Sequence, residues 1–190
     1  ILVSSGAIGL GMGKLGLMDR PKDTPGKQAC AAVGQCELMY LYDNLFSEYS
    51  ITVAQLLLTK YILLEDRRKN VENALERLIS QGVIPVVNEN DTVAIDELEL
   101  EMGENDSLAA VVATIANADL LIIMSDIDGL YDSDPRQNPD AKMIPVVREI
   151  SEDIHAVAGG AGTKFGTGGM ATKIHAVEIA YESDIDVVLM

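Results

Sequence analysis

Tryptophan is absent from the 190 residues, and aromatics together make up 4%. The core must therefore be aliphatic, built from Val, Ile, Leu, Ala and Met. With 48% hydrophobic residues there is enough of it for one α/β domain. Basic residues are scarce as well: 14 Lys and Arg stand against 30 Asp and Glu, a formal charge of -16. A surface that negative repels phosphate backbones and anionic lipid, which argues against nucleic acid or membrane as a partner. An anionic substrate would need a site that counters the field locally. Cysteine occurs only at Cys30 and Cys36. Six positions apart on a helix, the two point to different faces and cannot bridge. They form no CxxC pair, and two reduced thiols suit a cytosol. The only histidines, His155 and His175, lie far apart without ligand-like spacing and read as ordinary helical residues rather than a metal site. No run reaches the ~18 to 20 apolar residues of a membrane span, and no signal peptide is expected. A cytoplasmic protein is the expectation.

What is present is an alternation of short apolar runs with amphipathic stretches. Five runs read as strands: Ile1–Ser4, Ile51–Thr59, Val83–Asn88, Leu120–Ser125 and Ile185–Met190. Each is a continuous β-branched or Leu-rich run, as expected of strands covered on both faces. The clearest helix is "DRRKNVENALERLISQG", with Val71, Ala74, Leu75, Leu78 and Ile79 on one stripe and Gly82 ending it. Lys27 to Tyr49 is apolar on most sides, which predicts deep burial or a subunit contact. The alternation implies a parallel-rich sheet with helices on both faces. Ligands of such sheets sit beyond the carboxyl ends of the strands. The chain opens "ILVSSGAIG", without Met and already inside a strand, so an upstream βα unit is expected.

Four segments end in Gly, Ser, Asn or Asp where such ligands would lie. "SSGAIG" follows the first strand and opens a helix, an arrangement whose unpaired N–H groups suit an anion. Its glycines do not fit GxGxxG. Ser5 and Gly6 lean toward function, whereas Gly9, Gly11 and Gly13 more simply let a helix pack close to the sheet. "GTGGMATK" would aim Thr167, Gly168 and Gly169 N–H groups and the Lys173 ammonium at one spot, as a polyphosphate requires. No Walker A sequence occurs, and taken alone the stretch fits a glycine-rich surface loop equally well. "SDIDGLYDSDPRQNPDA" places Ser125 and Asp126 at a strand end and Tyr131 where it could pack on a base; the rest is turn chemistry. Finally, "NENDTVAIDELELEMGENDS" carries eight carboxylates in residues 88 to 107.

Taken together, these pieces resemble the amino acid kinase family. The resemblance rests on "VSSGAIGLG", "AAVGQ", "FSEY" with "AQLLLT", "EDRRKNVENAL", "GVIPVVNENDTVA", "GENDSLAA", "SDIDGLYDSDPRQNPDA" and "GTGGMATK", in the family's order over essentially the whole chain. "VNENDTVA", a downstream G-[DE]-N-D and "GTGGM-x-TK" point to its glutamate-phosphorylating branch. The resemblance implies a three-layer αβα sandwich with a mostly parallel central sheet, here a single domain over 1–190 without its N-terminal βα unit. A C-terminal PUA domain, found in many bacterial members, is not within these residues, and Glu104 stands where Asp is usual.

The implied reaction is phosphorylation of the γ-carboxylate of L-glutamate by ATP, the first step of proline biosynthesis. By matching position, Ser5, Gly6, Ala7, Asp91 and Asn105 would bind glutamate. Ser125, Asp126, Thr167, Gly168, Gly169, Met170, Ala171, Thr172 and Lys173 would bind ATP. Lys173 and Asp106 would be catalytic, Asp106 organising the lysine, and Mg²⁺ would be carried by ATP with no metal site of the protein's own. Proline would be a feedback inhibitor at an overlapping site, glutamate-5-semialdehyde dehydrogenase would be the next enzyme, and a homo-oligomer is expected. The acidic loop then has a purpose, because glutamate brings an ammonium: Asp91 can pair with it, while the Asn88, Asn90 and Asn105 amides donate to the α-carboxylate. Asp106 could also cap the helix "DSLAAVVATIAN", and Asp96 to Glu101 read as a solvated hairpin. The alternatives are an acetylglutamate kinase or aspartokinase, the kinase half of a fused kinase–reductase, or a non-catalytic amino-acid-sensing module.

Overall fold

The computed structural model describes residues 1–93, 105–158 and 169–190. Contacts cluster into two compact units, Ile1–Leu100 and Glu101–Met190. Each of the five runs expected as strands matches one, with β3 extending past Asn88: β1 Leu2–Val3, β2 Val53–Leu58, β3 Ile84–Glu89, β4 Leu120–Ile123 and β5 Asp186–Leu189. The helices are α1 Ala7–Leu15, α2 Thr24–Ser47, α3 Glu65–Ser80, α4 Asn105–Ile115, α5 Glu152–Ala158 and α6 Met170–Tyr181, with a 3-10 turn at Lys60–Leu63. The α/β class is therefore as expected, with every strand pair parallel.

In the first unit the strands run in the order β1-β3-β2. The middle strand carries Pro85, fully buried, which lacks a ladder donor. Ile84 N–H donates to Thr52 O of the β2 side, so the adjacent Pro85 nitrogen faces β1 and leaves the pairing with β2 intact. α1 and α2 approach closely because glycine lines the contact. A Cβ on Gly34 would stand 1.7 Å from the Ala7 carbonyl oxygen, and one on Gly11 1.8 Å from that of Cys30. Gly11 thus serves packing as expected, against a helix rather than the sheet, while Gly9 and Gly13 would meet nothing within 4 Å. Asp23 caps α2 by accepting from Gly26 N–H at 2.9 Å.

Of the two alternatives for Lys27 to Tyr49, deep burial holds for Cys30, Ala31, Gly34, Gln35 and Leu38 of α2, while Tyr40, Leu41 and Leu45 beyond them are exposed. One expectation about burial needs correction. α3 buries Leu75 fully, yet Ala74 and Ile79 of its predicted stripe are exposed, so the apolar stripe is narrower than the sequence suggests. Gly82, with φ 72°, does end that helix.

The second unit pairs β4 with β5, and Ala110, Ala113, Leu121, Ile123, Ala176, Ala180 and Ile185 pack the helices α4 and α6 onto the strands. Small alanines let those helices come close. Here too a prediction fails: β4 alternates, with Leu121 and Ile123 buried and Leu120 and Ile122 exposed, so one face of the strand is uncovered. A continuous apolar run records that both faces are fit for burial, not that both are covered.

Candidate active site

The first unit builds its polar cluster where β1 and β3 end. Ser4 continues β1 by donating its N–H to Val87 O at 2.9 Å; its buried hydroxyl lies 2.8 Å from the Tyr42 hydroxyl. Ser5 follows, exposed. Gly6 then turns the chain into α1 with φ 98°, a left-handed conformation costly to any side chain, and its carbonyl accepts from Leu10 N–H. Ala7 is buried as the first residue of the helix.

At the end of β3 the chain turns through Asn90–Val93, and Val93 N–H closes onto Asn90 O at 3.0 Å. Beneath that turn opens a pocket of about 300 Å³, lined among others by Gln35, Cys36, Gln55, Glu89, Asn90 and Asp91. Burial pushes the Asp91 carboxyl above its usual range, and the Arg20 guanidinium partly offsets this. An acid left underhydrated in this way is a ready partner for an ammonium. Cys36 is exposed and Cys30 buried, and both are free thiols, in keeping with their different helix faces.

Asn88 departs from its expected role. It is buried, with its Nδ2 donating to Gln35 Oε1 at 2.9 Å and its Oδ1 accepting from Glu89 N–H at 2.8 Å. Gln35 Nε2 in turn donates to Gln55 Oε1 at 3.1 Å. The Asn88 amide is thus committed to holding α2 onto the sheet rather than offered to a ligand. Asn90 Oδ1 accepts from the Thr92 hydroxyl at 2.6 Å, which fixes the turn. Gln35 and Gln55 are the pocket residues that sequence reasoning missed. The available signal was an amide within each of two apolar runs, "ACAAVGQCEL" and "VAQLLL".

In the second unit the decisive contact joins the starts of two helices. Lys173, in the first turns of α6, lies 2.8 Å from Asp106 Oδ2 in the first turn of α4, their side chains 14% and 22% exposed. The sequence expected this pairing. Asn105 is the first residue of α4 and Asp106 the second, so Asp106 sits inside the helix rather than at its cap. Gly169 precedes α6, and its carbonyl accepts from the Thr172 hydroxyl at 2.8 Å. Met170 is half-buried and Ala171 exposed. Thr167 and Gly168 lie outside the described residues, as do Glu104 and the Asp96 to Glu101 stretch.

Ser125 and Asp126 follow β4. Ser125 N–H donates to Met190 O at 2.6 Å, extending the pairing with β5. Asp126 forms an exposed ion pair with Arg136 at 2.8 Å, a partner that no sequence pattern singles out. Tyr131 donates its hydroxyl to Asp128 at 2.8 Å. The two histidines, distant in sequence, both reach Glu178: His155 Nε2 at 3.0 Å and His175 Nδ1 at 3.3 Å. Among the described residues no group of three or more His, Cys, Asp or Glu is arranged to hold a metal ion, and no helix is long and apolar enough to cross a membrane.

With this geometry in place, comparison with known proteins is informative. The model of the amino acid kinase family matches residues 1–190. Glutamate 5-kinases of Clostridium perfringens and Clostridium acetobutylicum are each 54% identical over the whole chain, which spans 71% and 70% of their lengths. That of Caldanaerobacter subterraneus is 55% identical, and there the chain spans 50%. Among solved structures, the product complex of T. acidophilum isopentenyl phosphate kinase is similar with a TM-score of 0.59. At 18% identity, over 95% of this chain and 69% of that one, the likeness shows the fold alone.

Proposed function

The chain belongs to the amino acid kinase family, and from that membership we propose that it transfers the γ-phosphoryl group of ATP to the γ-carboxylate of L-glutamate. The product is γ-glutamyl phosphate, the activated acid that opens proline biosynthesis. Residues 1–190 act in this reading as one kinase domain, cytoplasmic, with ATP as phosphoryl donor. The observation that carries the reading is the Lys173–Asp106 pair at the start of α6. A lysine held in place beside helix N–H groups is what a polyphosphate tail requires.

The chemistry needs little else from the protein. A γ-carboxylate oxygen attacks the terminal phosphorus, the bond to the bridging oxygen breaks, and ADP departs with that electron pair. The attacking carboxylate is already ionised near neutral pH, so no general base is called for. Charge accumulates on the equatorial oxygens, where the Lys173 ammonium and backbone N–H groups neutralise it. Asp106 keeps that ammonium in position. Ser125, Asp126 and the segment from Thr167 to Lys173 bind the nucleotide. Mg²⁺ would accompany the ATP phosphates and would supply electrophilic assistance there.

Ser5, Gly6, Ala7, Asp91 and Asn105 bind glutamate, with the underhydrated Asp91 carboxylate receiving the ammonium. Proline shares that pocket as a feedback inhibitor, and glutamate-5-semialdehyde dehydrogenase consumes the product. The exposed Tyr40, Leu41 and Leu45 of α2 are the face available for self-association. The direct test is incubation of the full-length protein with ATP, Mg²⁺ and L-glutamate, trapping the acyl phosphate as hydroxamate. Hydroxamate from glutamate supports the reading; formation only from aspartate or N-acetylglutamate overturns it. In the same assay, Lys173→Met should lower kcat by ~10²- to 10³-fold.

A further inference from the structure

The relay beneath the pocket has a direction. Its starting point is a main-chain N–H, that of Glu89, which can only donate. The Asn88 oxygen must therefore be the acceptor, and its NH₂ the donor to Gln35. Gln35 must then present oxygen to Asn88 and NH₂ to Gln55, 3.1 Å away. Each amide inherits its orientation from the one before it. At the far end Gln55 receives this hydrogen bond on its oxygen, which leaves its NH₂ as the end without a hydrogen-bond partner among the described residues. Gln55 is exposed on β2 and lines the pocket that also holds Glu89 and Asp91.

A pocket meant for a cation alone would gain from a Gln55 oxygen, and the relay withholds it. A pocket meant for an anion alone would not be lined with two carboxylates. The ligand that satisfies both is one with an ammonium for Asp91 and an acceptor for Gln55. We propose that Gln55 is a specificity-determining residue whose NH₂, oriented by the Glu89–Asn88–Gln35 relay, donates to the α-carboxylate of the amino-acid substrate. The α-carboxylate is assigned because it stays beside the ammonium, whereas the γ-carboxylate must remain open to the phosphoryl donor. Gln55 takes the task expected of Asn88, and Gln35 acts through it as a positioning residue. The inference rests on the proposed binding of glutamate in this pocket.

Kinetics of the full-length kinase test it. Gln55→Leu should raise the glutamate KM about 10- to 100-fold, the range for one hydrogen bond to a charged group, with the ATP KM and kcat unchanged. Gln55→Lys keeps a donor without the relay and should fall closer to wild type; a KM as poor as that of the Leu variant overturns the donor role. In Gln35→Glu, residue 35 still accepts from Asn88 but has no proton for Gln55, whose amide turns and shows its oxygen. The glutamate KM should rise in that variant, and should rise no further when the change is made on the Gln55→Leu background. Additive effects overturn the relay. Asp91→Asn separates the two levels of the argument. If it raises the glutamate KM while Gln55→Leu does not, the inference fails and the pocket assignment stands. If neither changes it, glutamate does not bind here.

Discussion

Removing Asp106 should destabilise the protein more than removing Lys173, although the two share one ion pair. At 2.8 Å, with side chains 22% and 14% exposed, the pair has lost most of its water. Two unit charges at that distance attract by about 6 kcal/mol at an effective dielectric of about 20. Desolvation of a part-buried ion costs several kcal/mol, so the intact pair contributes only a small surplus. Truncation removes the attraction and leaves the survivor's desolvation in place. The two survivors are not equivalent. Asp106 lies in the first turn of α4, where the positive end of the helix dipole favours a carboxylate. Lys173 lies at the corresponding end of α6, where the same field opposes an ammonium.

Asp106→Ala should therefore cost about 2–3 kcal/mol and Lys173→Met on the order of 1 kcal/mol. For a chain of this size the first corresponds to a fall in Tm of roughly 4–12 °C. The double variant should resemble Lys173→Met alone, because no unpaired ammonium then remains. Urea unfolding of the four proteins measures all three quantities. Equal single costs, or a double variant at the sum of the two within about 0.5 kcal/mol, would refute the field argument. The asymmetry also has a use: a lysine placed against an opposing dipole is one for which an arriving phosphate relieves repulsion as well as supplying attraction.

Much of this was legible in the chain. All five strands coincide with the apolar runs that announced them, β3 alone reaching past its run to Glu89, because β-branched runs bounded by turn residues have few other solutions. The Lys173–Asp106 contact followed from the resemblance, since both residues carry its motifs. What stayed hidden depended on which neighbour arrives. Leu120 and Ile122 look as buriable as Leu121 and Ile123, and only the packing of α4 and α6 distinguishes them. Asn88 and Asn90 stand two residues apart in one motif, yet one faces inward to Gln35 and the other accepts from Thr92. Arg136 meets Asp126 and His155 meets Glu178 across ten and twenty-three residues, pairings that no periodicity encodes.

Three further outcomes follow from particular positions. Asp91→Asn should raise the thermal stability of the ligand-free protein near neutral pH while weakening glutamate. Burial holds the folded-state acid above its unfolded range, so the folded chain retains the proton longer and stability falls as pH rises through the carboxylate range. The variant should lose that fall in a series of melts, and an unchanged pH profile would show the carboxyl to be well hydrated. Cys36 lines the pocket and Cys30 is buried, so a small alkylating reagent should modify Cys36 first and glutamate should slow it. Labelling unaffected by saturating glutamate would place the substrate elsewhere. The two glycine types of α1 and α2 should separate cleanly. Gly9→Ala meets nothing within 4 Å and should stabilise by about 0.5–1 kcal/mol, the usual gain for alanine over glycine inside a helix. Gly34→Ala would drive its methyl into the Ala7 carbonyl, a backbone atom that no rotamer change can move. The helices must part, at a cost at or beyond the ~1–3 kcal/mol typical of overpacking, and Ala7 would shift with them. Since Ala7 follows Ser5 and Gly6 directly, Gly34→Ala should also raise the glutamate KM, whereas Gly9→Ala should not. A Gly34→Ala protein as stable as wild type would mean that α1 and α2 do not cross at this distance.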